Sequence, residues 1–351
     1  MIADNGIVIR NIFHMLAYAY RGLNQRHFEK VGTESFEHLE DLMAAILVEG
    51  ITRQIKQGLH RDYVFQDQDI QTVRGKINPV DSMRHRINCR QLLNCHFDDL
   101  MTDTFFNRIL KQTMRILIRH PRVKLAHRQE LRKILPIFDQ VADIDLRCVR
   151  WSTLQLGRQT QSYELLLNIC RMVYLRQIQT ENRGNLKLTQ FEDFDFARLY
   201  ERFLLAYFRV HHPQLQAAAP HIAWDLEPGT PVPQHLPKMK SDIVLRGETQ
   251  VLIIDAKFYG HTLQSHHQKS TYHSSNLYQI FTYVRNLQAA MPDVPVSGML
   301  LYAKTKEAIT PDADFRINGN DYSVRTLDLD CEFIEIRARL DKIAQQLTDR
   351  K

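Results

Sequence analysis

Two aspartates and a lysine in the second half of the chain carry its strongest chemical signal. They stand in Ser241-Asp242 and Asp255-Ala256-Lys257, on either side of two short β-branched apolar runs, 243–245 and 251–254. Such runs around Gly247-Glu248 predict a hairpin with glycine at the first position of a two-residue turn. That turn sets Asp242 opposite Ile253, with Asp255 a diagonal neighbour on the same face roughly 7–8 Å away. Lys257, two residues further on, returns to that face. Hard oxygen ligands held across a hairpin suit Mg²⁺, which takes one or two carboxylates together with water and phosphate oxygens. Such an ion acidifies bound water and offsets charge building on a phosphate under attack, and a lysine beside it can orient that water. An ordinary ion pair at a strand end uses the same residues, so the rest of the chain has to discriminate.

The 351 residues are 44% apolar and 25% charged, the balance of a soluble globular chain long enough for two domains. No apolar run approaches the roughly 20 residues of a membrane span. The start, Met1-Ile-Ala-Asp-Asn-Gly6, has no basic region followed by an apolar one, so no signal peptide is expected. Cys89, Cys95, Cys148, Cys170 and Cys331 form no Cys-x-x-Cys pair and suit reduced thiols in a cytoplasmic protein. Cys89, Cys95 and His96 have the wrong spacing for a zinc finger. A net charge of +6 suits a polyanionic partner without demanding one. The chain has no Gly-x-x-x-x-Gly-Lys-Ser/Thr, so nucleotide hydrolysis, if involved, belongs to another chain.

Apolar periodicity predicts helices over 10–23, 37–55, 105–120, 163–178, 194–210, 276–289 and 333–347, with Gly22 and Gly58 ending the first two and Leu199, Phe203, Leu204, Tyr207 and Phe208 of the fifth turned to a core. The helix at 105 is expected to be capped by Thr102 or Asp103. Strands are expected over 63–65, 70–77, 221–226, 296–303 and 321–329, with a proline-rich loop over 227–237. The order predicts an α+β domain over 1–158 and an α/β domain over 159–351. A basic stretch from Lys111 and Arg115 to Arg132 and Lys133 reads either as a polyanion-facing surface or as a solvated helix face. His261, His266, His267 and His273 lack metal spacing on a helix and are expected in a mobile loop near substrate. Gln279 and Tyr283 fall one turn apart on the helix after the acidic hairpin.

From about residue 194 the order helix, strand, acidic hairpin, helix, strand resembles the restriction-endonuclease-like PD-(D/E)xK fold in its RecB-like branch. Gln279-Ile-Phe-Thr-Tyr283 stands where that branch carries Gln-x-x-x-Tyr, and Ser241 stands where the motif has proline. The stretches Val8 to Tyr20, Val73-Arg-Gly-Lys-Ile77, Asp103 to Lys111, Ser241 to Tyr259 and Ser275 to Gln279 are, in that order, similar to McrC, the nuclease subunit family of McrBC modified-cytosine restriction systems. The resemblance implies Mg²⁺ held by Asp242, Asp255, the Ala256 carbonyl and Glu201 of the first core helix. It also implies that Lys257 positions the attacking water and that Gln279 and Tyr283 orient the site or the strand near it. Its implied partners are McrB, a hexameric AAA+ GTPase on which the N-terminal part docks, and double-stranded DNA carrying modified cytosine, with no membrane. A stand-alone RecB-like nuclease and a non-cutting adaptor that activates a AAA+ motor remain as alternatives.

Overall fold

Asn11 ties the first helix to the far end of the chain, donating from Nδ2 to the carbonyls of Leu329 at 2.9 Å and Cys331 at 2.8 Å. The Val8 amide adds a third link, to the Leu329 carbonyl at 3.2 Å. The compact units accordingly do not follow a single cut at 158: Met1–Leu42 and Leu175–Lys351 form one, and Met43–Tyr174 the other. The computed structural model describes residues 3–4, 7–20, 28–154, 157–181, 189–258, 263–266, 269–304 and 310–348. Gly22, expected to end the first helix, lies outside them.

The chain opens with the paired strands β1 (Ala3–Asp4) and β2 (Ile7–Val8), then α1 (Ile9–Ala19), α2 (Glu29–Thr33) and α3 (Leu39–Gln57). α3 stops where expected, at Gly58 with φ +92°, a left-handed conformation that glycine adopts without strain. The inserted unit continues with β3 (Asp62–Ile70), β4 (Lys76–Ile77), α4 (Pro79–Ile87) and β5 (Leu93–Met101). These strands form a three-stranded sheet in the order β3-β5-β4. β5 carries no expected pattern: its sequence, LNCHFDDLM, places two acids in the strand, and it pairs along the whole of β3. α5 (Phe105–Arg119), α6 (Leu125–Ile134) and α7 (Glu164–Glu181) come next, with only short helical turns among the described residues of 135–163. The α5 cap is Thr104, whose hydroxyl accepts from the Asn107 amide. Asp103 is unavailable for capping because both its oxygens receive Arg108 at 2.7 Å and one also receives the Ala142 amide. The Thr102 carbonyl is taken by Asn107 Nδ2. Lys111 and Arg115, the first members of the basic stretch, are both committed to Asp143, at 3.0 and 2.6 Å.

The catalytic candidates all lie in the other unit. It continues with α8 (Thr189–His211), the short pair β6 (His221–Ile222) and β7 (Met239–Lys240), β8 (Ile243–Arg246) and β9 (Val251–Lys257). Then come β10 (Leu263–His266) and β11 (Lys269–Tyr272), an antiparallel pair within the segment expected as a mobile loop. His261 and His267 lie outside the described residues. α9 (Ser274–Ala290), β12 (Val296–Ala303), β13 (Ala313–Ile317), β14 (Asn320–Leu327) and α10 (Phe333–Thr348) complete the chain. Five strands make one mixed sheet in the order β13-β14-β12-β9-β8, parallel through β14, β12 and β9 and antiparallel at both edges.

Successive residues of a strand point to opposite faces, and the two faces of this sheet are covered differently. Val244, Val251, Ile253, Leu300 and Tyr302 pack with Ile280, Tyr283 and Val284 of α9. On the other face Phe258 stacks on Phe196 of α8 at a 5.6 Å ring separation, and Phe203 of α8 meets Phe333 of α10. The aromatic face expected of α8 is fully buried, with Phe203, Leu204, Tyr207 and Phe208 each at 0% exposure. Among the described residues no helix is long and apolar enough to cross a membrane.

Candidate active site

The β8–β9 hairpin turns one residue later than expected. Gly247 pairs with Gln250, its amide donating to the Gln250 carbonyl at 2.9 Å, so the two-residue loop is Glu248-Thr249. Moving the centre of a turn by one residue moves the register by two. Ile243 therefore pairs with Ile254, and continuing the ladder by one step places Asp242 across from Asp255 rather than from Ile253. A two-residue shift preserves which face a side chain occupies. The two acids keep the expected common face and come closer than a diagonal pair.

At this edge the hairpin is held from outside the sheet. Ser241 is fully buried and directs both its amide (3.3 Å) and its hydroxyl (3.1 Å) to the Pro220 carbonyl. A proline there has no amide to give, which accounts physically for serine where the PD motif has proline. Asp242 accepts the Ala256 amide through Oδ2 at 2.9 Å, which locks it against β9. Asp255 is 1% exposed. Its Oδ2 lies 2.8 Å from Lys257 Nζ, and its Oδ1 receives no hydrogen bond.

Lys257 is held as firmly as the acids. Its ammonium donates to Gln279 Oε1 at 3.1 Å, Gln279 Nε2 donates to Tyr283 Oη at 2.8 Å, and the Tyr283 hydroxyl donates to the Lys240 carbonyl at 3.0 Å. Each group spends its donor on the next acceptor, so Gln279 can present only its carbonyl oxygen to Lys257. The Gln-x-x-x-Tyr spacing thus does positional work: one helical turn of α9 spans the gap between the lysine and the strand before Asp242. The receiving carbonyl of Lys240 is backbone, and no residue type could have marked it in the sequence.

Electrostatically the cluster is strained toward neutrality. Burial pushes the carboxyl of Asp255 up, with the charge of Asp242 adding to the rise and Lys257 opposing it. Burial also raises Asp242, against the Ala256 amide and Lys257. Glu201, half-buried on α8, is pushed up to about 7, first by burial and then by the charge of Asp242. The structure therefore gathers Asp242, Asp255, Ala256, Lys257, Gln279 and Tyr283 at one place, and Glu201 lies close enough to feel Asp242. Clustered acids that resist ionisation, one with a buried oxygen lacking a hydrogen bond, need a positive charge beyond Lys257. An all-oxygen donor set fits a hard divalent cation.

This is an acid-rich, cation-competent site at the carboxyl end of a parallel strand in a mixed α/β fold. The family model described as McrBC 5-methylcytosine restriction system component matches residues 3–303, and the chain belongs to that family. It is 27% identical over 331 residues to the type IV methyl-directed restriction enzyme EcoKMcrBC of Escherichia coli strain K12, covering 93% of this chain and 94% of that one. Among solved structures it is similar to an assembly of Thermococcus gammatolerans McrB AAA+ hexamers with bound McrC, over 95% of this chain and 76% of that one, with a TM-score of 0.52 and 17% identity. At that identity the likeness concerns the fold, and it agrees with a mixed sheet flanked by helices.

Proposed function

We propose that this chain is the cutting subunit of a modification-dependent restriction complex, a PD-(D/E)xK nuclease that hydrolyses DNA phosphodiesters and stimulates a partner GTPase. The observation that carries the reading is the placement of Asp242 across from Asp255, with Lys257 fixed beside them by Gln279 and Tyr283. Asp242, Asp255, Glu201 and the Ala256 carbonyl would hold a divalent cation such as Mg²⁺, whose chemistry is to acidify water and to neutralise charge on a phosphate. Lys257 supplies a fixed positive charge, and with three donors on its ammonium it can orient a water or a phosphate oxygen while keeping Asp255 and Gln279. Gln279 and Tyr283 act as positioning residues. They set the lysine's direction before substrate arrives, so none of that ordering is deferred to the reacting state.

The partner is McrB, as in the Thermococcus assembly of McrB hexamers with bound McrC, and the substrate is duplex DNA carrying modified cytosine. The inserted unit provides the docking surface. Tyr63 and Phe65 on β3, Val73, and Val80, Met83 and Ile87 on and around α4 are each more than 60% exposed, far more large apolar surface than an isolated unit gains from showing to water. A purely adaptor role would leave the buried acids of the other unit without a physical reason. The test is Asp255→Ala or Lys257→Ala mixed with the GTPase, GTP, Mg²⁺ and modified DNA. Stimulated GTP turnover with uncut DNA is expected, and undiminished cutting by both variants would refute the assignment.

A further inference from the structure

On the other face of the same sheet lies a cavity that the acidic site does not use. It sits beyond the ends of β12 and β14 against α10, with a volume of about 610 Å³. Leu301 and Ile343 give it an apolar wall, while Lys304, Arg325, Arg339 and Lys342 bring four cations to it against two acids, Asp312 and Asp328. Lys304 is engaged by Asp328 at 2.6 Å, and Arg325 by Asp312 at 2.9 Å and by Asp314 at 2.5 Å. Arg339 and Lys342 are exposed and form neither an ion pair nor a hydrogen bond with a described residue. They fall three residues apart on α10, a spacing at which like charges repel. Arg339 lowers the carboxyl of Asp328 through space but is committed to no ion pair, and a concave wall that presents two uncommitted cations is what an anion requires.

We propose that this cavity receives a backbone phosphate of the duplex being cut, and that Arg339 and Lys342 are its principal ligands. The inference deepens the nuclease reading and rests on it for the identity of the polyanion. β12 is the immediate neighbour of β9, with Tyr302 across from Lys257. Lys304 comes two residues later, so one strand spacing and two residues of rise put its backbone on the order of 8 Å from that of Lys257. That is comparable with the step between successive phosphates of one strand. A duplex lying along the carboxyl ends of β9, β12 and β14 meets the acidic site on one side and the basic cavity on the other. Contacts of this kind carry no sequence information and set register and hold, which suits a subunit whose base recognition is done elsewhere.

The experiment measures binding of the full chain to a labelled, unmodified duplex in EDTA over a range of KCl, so that no cutting contributes. Each phosphate contact adds roughly 0.9 to the slope of log affinity against log salt. Arg339→Gln with Lys342→Gln should flatten the slope by about 2, and Arg339→Glu with Lys342→Glu should weaken binding further. Lys56→Gln with Arg90→Gln, two exposed cations of the inserted unit, serves as the charge-matched control and should keep the wild-type slope. An unchanged slope in both cavity variants, or a wild-type chain that does not bind, overturns the proposal. So does a mononucleotide that displaces the duplex from the wild type through Arg339 and Lys342, because the cavity then belongs to a small phosphorylated ligand. If Asp255→Ala still cuts while the cavity variants lose slope, the nuclease assignment fails and the phosphate site stands.

Discussion

Glu201 separates a cation-binding acid from an idle helix glutamate, and the two make opposite forecasts for Glu201→Gln. Burial, and after it the charge of Asp242, pushes its carboxyl up to about 7 from an ordinary 4.5. At about 1.36 kcal/mol per unit, that rise sets a ceiling of roughly 3.4 kcal/mol on the penalty for ionising it in the folded chain. The side chain is only half-buried, so solvent screening brings the penalty to about 1–2 kcal/mol. The folded state binds this proton more tightly than the unfolded state. The penalty therefore accumulates as pH rises from about 4.5 to about 7 and is complete above that. Glutamine removes the charge and keeps the shape. In EDTA at about pH 8 the variant should unfold roughly 2–8 °C above the wild type, since 1 kcal/mol moves the midpoint of a unit this size by about 2–4 °C. The gap should close as pH falls toward the ordinary carboxylate range. Added Mg²⁺ should then raise the wild type more than the variant, because a ligand stabilises only the form that binds it. Thermal unfolding followed by calorimetry at several pH values, with and without Mg²⁺, reads all of this. Equal midpoints at pH 8, or a gap that does not change with pH, would show that Glu201 is an idle surface acid.

Gly298 on β12 lies under α9, and a Cβ there would sit 2.8 Å from Val284, 2.9 Å from Ile280 and 3.1 Å from Tyr322. Gly298→Ala should destabilise by about 1–3 kcal/mol and, by lifting the helix that carries Gln279 and Tyr283, slow DNA cutting; an unchanged midpoint and rate would contradict the packing described. Asp103 is held below the usual carboxylate range by its hydrogen bonds from Arg108, with the Ala142 amide assisting. Asp103→Asn should cost about 1 kcal/mol at neutral pH, a difference that disappears as acid protonates the wild-type carboxylate, and urea titrations at neutral and acid pH test it. Cys89 and Cys148 are exposed, whereas Cys95 and Cys170 are buried and burial pushes the Cys170 thiol up to about 12. A thiol reagent at neutral pH should label Cys89 and Cys148 at once and Cys170 only after unfolding; early labelling of Cys170 would mean that its helix is not packed as described.

The part of the site that could be read in the sequence owes its legibility to periodicity. Face assignment needs only the parity of positions, so Asp242, Asp255 and Lys257 were legible as a group even with the turn misplaced by one residue. Register needs the turn itself, and Gly247-Glu248 and Glu248-Thr249 present similar composition. Gln279 and Tyr283 were legible because a helical turn has fixed length. The cation cavity was not: Lys304, Arg325 and Arg339 are scattered over separate elements, and nothing local marks which of many basic residues lacks a counter-charge. β5 and β13 escaped because their sequences mix charge into the strand without clean alternation. The compact units depart from a cut near 158 for a different reason. Chain order suggests that the first helix belongs with its neighbours in sequence, but its buried face (Ile12, Met15, Leu16) and Asn11 belong with α8 and the segment around Leu329.

The stitch between Asn11 and Leu329 has a bearing on how the molecule comes into being. The donor leaves the ribosome 318 residues ahead of its acceptor. The opening helix has to wait, its apolar side unsatisfied, while the whole inserted unit is made. That unit closes on its own contacts and can fold during synthesis, whereas the unit that carries the acidic site cannot be finished until β14 and α10 emerge. On the function proposed above, an assembly whose docking part matures before its blade withholds cleavage until translation is complete, and a prematurely terminated chain would bind its partner without a working edge.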